Sequence, residues 1–266
     1  MPSTKKVVAC MPRLLPRAQW PDAIRNAIKA NPDNRPPDLP EGEVPAGAPG
    51  EKLALDVTRY WGKGGVHLTV GFIDISDTAL RNRIVSHMNA WNKTANVKFV
   101  ISNTDPQVRI ARLTDLDSPG QGGFWSNLGT DILLTDRNSP TLNLEGFTMN
   151  TIDSEFYRVV RHEAGHTLGF PHEHMRGEII QRLDREKVIA EFMRTQHWTR
   201  QEVIDQVLTP LEDSSILGTP TADVTSIMCY QIDGDLTLDG EPIPGGTDIN
   251  DLDFAFAASV YPKPGG

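Results

Sequence analysis

The segment His162-Glu163-Ala164-Gly165-His166-Thr167-Leu168-Gly169-Phe170-Pro171-His172 constrains this chain more than any other feature. Residues four apart on a helix lie on one face, so a helix from about Ser154 to Leu168 aims the imidazoles of His162 and His166 at one point. Gly169 can adopt the left-handed conformation that ends a helix, and Pro171 stops it from resuming. The chain must turn there, and the turn can return His172 to the same point as a third ligand. Three neutral imidazoles suit Zn²⁺ and leave its fourth position open. Glu163 follows the first histidine directly, where a carboxylate can act as general base toward a water. Two plainer readings exist, solvated histidines on an exposed helix and a structural metal site. A structural zinc fills its fourth position with protein and has no use for Glu163.

Composition narrows the partners. Lys plus Arg is 26 against 35 Asp plus Glu, a formal charge of −9. With no clustered basic stripe, nucleic acid and anionic membrane are not expected as partners, and no apolar run is long enough to span a bilayer. Cys10 and Cys229 are the only cysteines. They make no disulfide framework, so the fold must rest on its core and its metal. Lys5-Lys6 and Val7–Met11 look like the start of a signal peptide, but the apolar stretch ends at Pro12-Arg13 and is too short. Either the chain is leaderless or it begins after a removed leader. We expect a secreted or exported monomer without a recognisable signal peptide.

Along the chain, residues 1–50 stand apart as an N-terminal extension. Six prolines (Pro32, Pro36, Pro37, Pro40, Pro45, Pro49) fall between Asn31 and Gly50, which predicts an extended strap. Before it, Pro21–Lys29 reads as a short helix with Ile24, Ala27 and Ile28 on one side. Residues 51–266 form the folded domain. Val66, Leu68, Val70 and Phe72 alternate as a strand, and Asp77 caps a helix of about 17 residues carrying Leu80, Ile84, Met88 and Trp91. Strands are expected at Val97–Ile101, Val108–Leu113 and Thr130–Thr135, with a Gly-rich loop at Gly120–Leu128. After the histidine helix, Leu183–Gln196, Thr199–Leu208 and Asn250–Val260 read as helices. This order gives an α/β (α+β) domain: an N-terminal mixed, twisted sheet backed by helices, then a C-terminal, mostly helical or irregular subdomain.

The pattern H-E-x-x-H-x-x-G-x-x-H resembles the metzincin zinc signature, whose members share a methionine turn beneath the metal. Ser226-Ile227-Met228-Cys229-Tyr230 matches that turn, with Met228 as an apolar floor. The run from Gly169 to His174 and Arg176, the Phe124-Trp125-Ser126 triplet and the Asp248–Pro262 segment are similar to astacin-like enzymes. The resemblance covers residues 55–262. It implies a metzincin fold with one Zn²⁺ in the cleft between subdomains, and a metalloendopeptidase acting on polypeptides. It also implies that Tyr230 is a further, displaceable zinc ligand that moves to the oxyanion during catalysis. Glu173 corresponds to a glutamate that pairs with the free N-terminus after propeptide removal. From the residues alone, the plainer readings are a buried, hydrogen-bonded tyrosine for Tyr230 and a solvated carboxylate for Glu173. The family's usual disulfides cannot form here, and residues 1–50 hold no match to its inhibitory aspartate motif.

Two further expectations concern the cleft. A substrate should lie antiparallel to an edge strand at Thr130–Thr135. Cys10, preceding the Pro-rich strap, could cap the fourth zinc position and hold the enzyme latent; the plainer reading is a free thiol on a tail. A Cys10–Cys229 disulfide is a third reading. His67, His87, His174 and His197 lack partner spacing and read as ordinary surface or strand residues. The acidic Asp233–Glu241 segment reads as a solvated hairpin rather than a Ca²⁺ loop. The rivals to an endopeptidase are a zinc-stabilised, non-catalytic binding protein on the same fold, which would have no need of Glu163, and a zinc hydrolase of a non-peptide amide.

Overall fold

The computed structural model describes Cys10, Arg13 and residues 15–36, 57–210 and 221–265. The alternation read in the first strand is realised in β1 (Val66–Phe72), where Val66, Leu68 and Val70 are buried. Helix α2 (Thr78–Met88) follows, capped by the Asp77 carboxylate, which accepts from Ala79 N and Leu80 N. It prolongs as a 3₁₀ turn, Asn89–Lys93, and buries Leu80, Ile84, Met88 and Trp91 as the helical spacing requires. Strands β2 (Val97–Ile101) and β3 (Val108–Ala111) flank β1 in parallel, with Val66 beside Val97 and Val70 beside Val108. Next come β4 (Phe124–Ser126) and β5 (Leu142–Leu144). The sheet order is β2-β1-β3-β5-β4, parallel except for β4, which runs antiparallel to β5 at the sheet edge. A mixed sheet with helices is the expected α/β architecture.

Two local expectations change. Thr130–Thr135 is not a strand: Gly129–Leu134 is a 3₁₀ turn. Gly129 has φ +46°, and a Cβ there would collide with Arg59 O, so only glycine fits. The Asp131 carboxylate then receives Arg59 Nε at 2.7 Å in a buried ion pair, which fixes the turn. The outermost strand of the sheet is therefore β4, inside the segment read as a Gly-rich loop. Asn143 of β5 stiffens that segment, its Nδ2 donating to Leu113 O, Gln121 O and Gly123 O.

Two hydrophobic clusters meet at the cleft. The first lies between the sheet, α2 and the histidine helix, and takes in Met228, Phe254 and Ala257. The second belongs to the C-terminal subdomain, with Val188, Ile189 and Phe192 of one helix packed against Val203, Val207, Cys229 and Tyr230. Cys10, from the N-terminal extension, is buried in this second cluster. The extension also packs through α1 (Trp20–Ala30), whose Ile24 and Ala27 meet Val57. Asn34 secures it further, donating to Ala27 O and Tyr60 O at 2.8 Å each. The prolines beyond Pro36 lie outside the described residues.

Candidate metal centre

The histidine helix is assembled from a π turn, Phe156–Val160, followed by α3 (Arg161–Thr167). Its position is set at both ends by side chains donating to its carbonyls: Trp91 Nε1 to Arg161 O at 3.0 Å and Trp61 Nε1 to Thr167 O at 2.9 Å. Gly169 has φ +95°, and a Cβ there would come within 2.8 Å of Arg59 O. The expected bend is thus made against the chain that also crowds Gly129. It returns His172 to α3.

The three Nε2 atoms converge. His172 Nε2 lies 3.3 Å from that of His162 and 3.0 Å from that of His166. Ligands 2.0–2.1 Å from a tetrahedral ion stand about 3.3 Å apart, so the spacing fits Zn²⁺. The opposite ring nitrogens set the tautomers. His162 Nδ1 donates to Ile227 O at 2.6 Å and His166 Nδ1 to Phe170 O at 2.8 Å, leaving each Nε2 lone pair toward the shared point. Burial lowers the pKa of all three rings, His162 to about 4, which keeps them neutral and able to ligate.

Glu163 is 1% exposed, and its Oε2 has no hydrogen-bond partner among the described residues. Burial pushes its pKa up to about 8, opposed by a hydrogen bond from Cys10 and the charge of Arg158. A buried carboxyl oxygen left without a donor is costly unless a ligand or water serves it. Cys10 Sγ completes the cluster: it lies with the three imidazole nitrogens, all four atoms within 4.8 Å of one another. Both cysteines are free thiols, so no Cys10–Cys229 bridge exists.

Met228 lies beneath α3. Gly165 faces it so closely that a Cβ would meet Met228 Sδ at 2.5 Å. Glu173 N donates to Met228 O at 2.9 Å, tying the segment after His172 to the turn. Asp253 holds the turn from behind, accepting from Ser226 Oγ at 2.6 Å and Ile227 N at 2.9 Å. Sequence reading gives Asp253 no role. Its capping box with Asn250 is detectable as N-x-x-D at the start of the last helix, Asp251–Val260, but its reach to Ile227 is not.

The Tyr230 hydroxyl donates to Cys10 O, so in this state it serves the N-terminal segment. His174 is a correction: it is fully buried, stacked on Tyr230 with ring centroids 4.0 Å apart and interplanar angle 20°. Its ring also lies 4.8 Å from that of His172. The Glu173 carboxylate is half-enclosed, accepting from Asp223 N at 3.0 Å, and burial lifts its pKa to about 6. Asp239 of the acidic hairpin is engaged by Arg182 at 2.7 Å.

A mixed sheet, an H-E-x-x-H helix, a third histidine beyond a glycine bend and a methionine floor define a metzincin-type zinc peptidase. The model of the astacin peptidase family matches residues 56–234, more than half of the sequence. The chain belongs to that family and is a zinc-dependent metalloendopeptidase. It is similar to a structure of myroilysin at 29% identity and TM-score 0.69, covering 77% of this chain and 96% of that one. A crystal structure of myroilysin, 27% identical with TM-score 0.56, covers 96% of this chain and 100% of that one, and so extends over most of the N-terminal extension. High choriolytic enzyme 1, a hatching enzyme zinc-protease from the medaka fish Oryzias latipes, shares the fold at 21% identity and TM-score 0.50, covering 76% and 94%. No curated protein matches the chain.

Proposed function

We propose that His162, His166 and His172 hold one Zn²⁺ and that Glu163 is the general base for hydrolysis of peptide bonds in protein substrates. The observation that carries this reading is the convergence of three Nε2 atoms beside a buried carboxylate with an unpartnered oxygen. When bound, the zinc would polarise the scissile carbonyl and lower the pKa of a water. Glu163 takes the proton from that water and passes it to the leaving amine. Burial raises its pKa, and a bound Zn²⁺ would oppose that rise and keep the carboxylate ionised, ready to take the proton. Met228 floors the site, and Tyr230, freed from Cys10 O, donates its hydroxyl to the developing oxyanion. Glu163→Gln should retain stoichiometric zinc while chelator-sensitive casein hydrolysis falls by at least about a thousandfold; retained turnover would refute the assignment.

In this reading residues 1–50 are a propeptide-like extension, residues 51–266 the catalytic domain, and Cys10 a fourth zinc ligand that holds the enzyme latent. The buried thiol among the three imidazoles supports this. Burial pushes the Cys10 pKa up, and a bound dication would reverse that, because a coordinating thiol is deprotonated. Full-length Cys10→Ser should be more active than the parent chain; equal rates would discard latency. An exported location fits an enzyme made latent. Among the described residues no helix is long and apolar enough to cross a membrane. Glu173 is the acceptor for the N-terminal amine that processing would create.

A further inference from the structure

Cys10 lies at the metal centre, and Arg13, three residues on, lies against the sheet edge. Arg13 N donates to Ser126 O at 2.9 Å, and Asn127 Nδ2 donates to Arg13 O at 3.1 Å, an arrangement parallel to β4. The chain therefore leads from Cys10 at the zinc site to Arg13 beside the edge strand, where a substrate backbone would pair. A side chain held there marks a place that a substrate side chain can fill.

The Arg13 side chain is specifically received. Its guanidinium lies 3.9 Å over the Trp125 ring. Nη1 donates to Gln121 Oε1 at 2.5 Å, and Nη2 donates to Gly120 O. The Asp115 carboxylate stands close enough for its charge to act on Arg13, and its Oδ1 accepts from Gly122 N at 2.9 Å. The receptor is built independently of its occupant: Trp125 Nε1 donates to Gln121 O at 2.9 Å, and Asn143 anchors the same loop. A planar, delocalised cation that stacks and donates in a fork matches these partners; an ammonium does not.

We propose that Trp125, Gln121 Oε1 and Gly120 O form an arginine-selective subsite of the substrate cleft. The proposal rests on the protease reading above and names its substrate class: polypeptides with arginine near the scissile bond. Three residues of chain reach at most about 10 Å. A substrate antiparallel to β4 thus places this arginine on the amino side of the cleaved bond, within about three residues of it.

The test uses the zinc-loaded, full-length chain. Iodoacetamide labelling of Cys10, corrected with Cys10→Ser, reports how often the segment lifts. Arg13→Ala and Gln121→Lys should each speed labelling about tenfold, while Gln121→Glu should slow it. A merely structural role for Gln121 would make both charge changes act in the same direction. In the full-length Cys10→Ser, Arg13→Ala background, a fluorogenic peptide with arginine at that position should be cleaved about tenfold faster, in kcat/KM, than its citrulline isostere. Gln121→Lys should erase that ratio by slowing the arginine peptide more than its citrulline isostere. Unchanged labelling, or equal arginine and citrulline rates, would overturn the subsite. Absence of any chelator-sensitive cleavage would instead refute the protease reading, and labelling would still decide whether the loop binds arginine.

Discussion

Replacing Asp253 with alanine probes how the metal centre is held from the side opposite the cleft. The carboxylate is 7% exposed and accepts three hydrogen bonds, from Ser226 Oγ at 2.6 Å, Ile227 N at 2.9 Å and Asn250 N at 3.0 Å. Burial raises its pKa and these donors oppose the rise. Bonds to a charged acceptor are worth about 1.5–3 kcal/mol each, but a cavity that admits water recovers part of the loss. A net cost of about 3–4 kcal/mol is expected, which for a domain of this size lowers Tm by roughly 10 °C. The effect should reach the metal, because Ile227, held by Asp253 at its N–H, accepts from His162 Nδ1 at its carbonyl, 2.6 Å away. Loss of such outer support costs roughly 10–100-fold in metal affinity. Thermal unfolding and zinc competition against a chromogenic chelator measure both quantities, with Asp253→Asn expected to fall between. An alanine variant that melts within about 2 °C of the parent, the spread of a neutral substitution, and binds zinc equally would refute the chain of support.

Three other outcomes are expected. Glu173 has a folded pKa of about 6 against 4.5, so the folded state binds its proton more tightly than the unfolded chain. The resulting penalty is absent below pH 4.5, grows as pH rises and is complete above pH 6. Glu173→Gln should therefore unfold like the parent in acid but gain up to about 2 kcal/mol at neutral pH in urea titrations; parallel pH profiles would contradict this. Gly169→Ala meets both a positive φ and a 2.8 Å approach to Arg59 O, so stability should drop by about 2–4 kcal/mol and zinc should be lost, as read by calorimetry and metal analysis. Tyr230→Phe removes the donor to Cys10 O and should speed Cys10 alkylation several-fold, about 1 kcal/mol; an unchanged rate would show that the hydroxyl adds nothing.

The metal centre is legible in the sequence because its logic is local. Two histidines four apart, a glycine that ends the helix and a proline that prevents its return need no distant partner to be understood. The 3₁₀ turn at Gly129–Leu134 reads as strand because its determinants are remote: Arg59, which pairs with Asp131, also supplies the carbonyl that crowds Gly129. Strand β4 is hidden for the opposite reason. Three residues carry no periodicity, and the pairing of Phe124 with Leu144 comes from across the sheet. His174 looks ordinary since the ring it stacks on, Tyr230, lies far along the chain. Local chemistry can be read from one segment, whereas contacts that cross the fold must be seen.

The Asn34 amide bonds to Ala27 O and Tyr60 O, together with the packing of Ile24 and Ala27 on Val57, grip the front of the molecule without covalent help. If a protease nicked the chain between residues 37 and 56, the severed piece would remain seated as a separate ligand. Its departure would then obey mass action, so dilution or competing substrate, rather than the nick alone, would govern when the cleft opens.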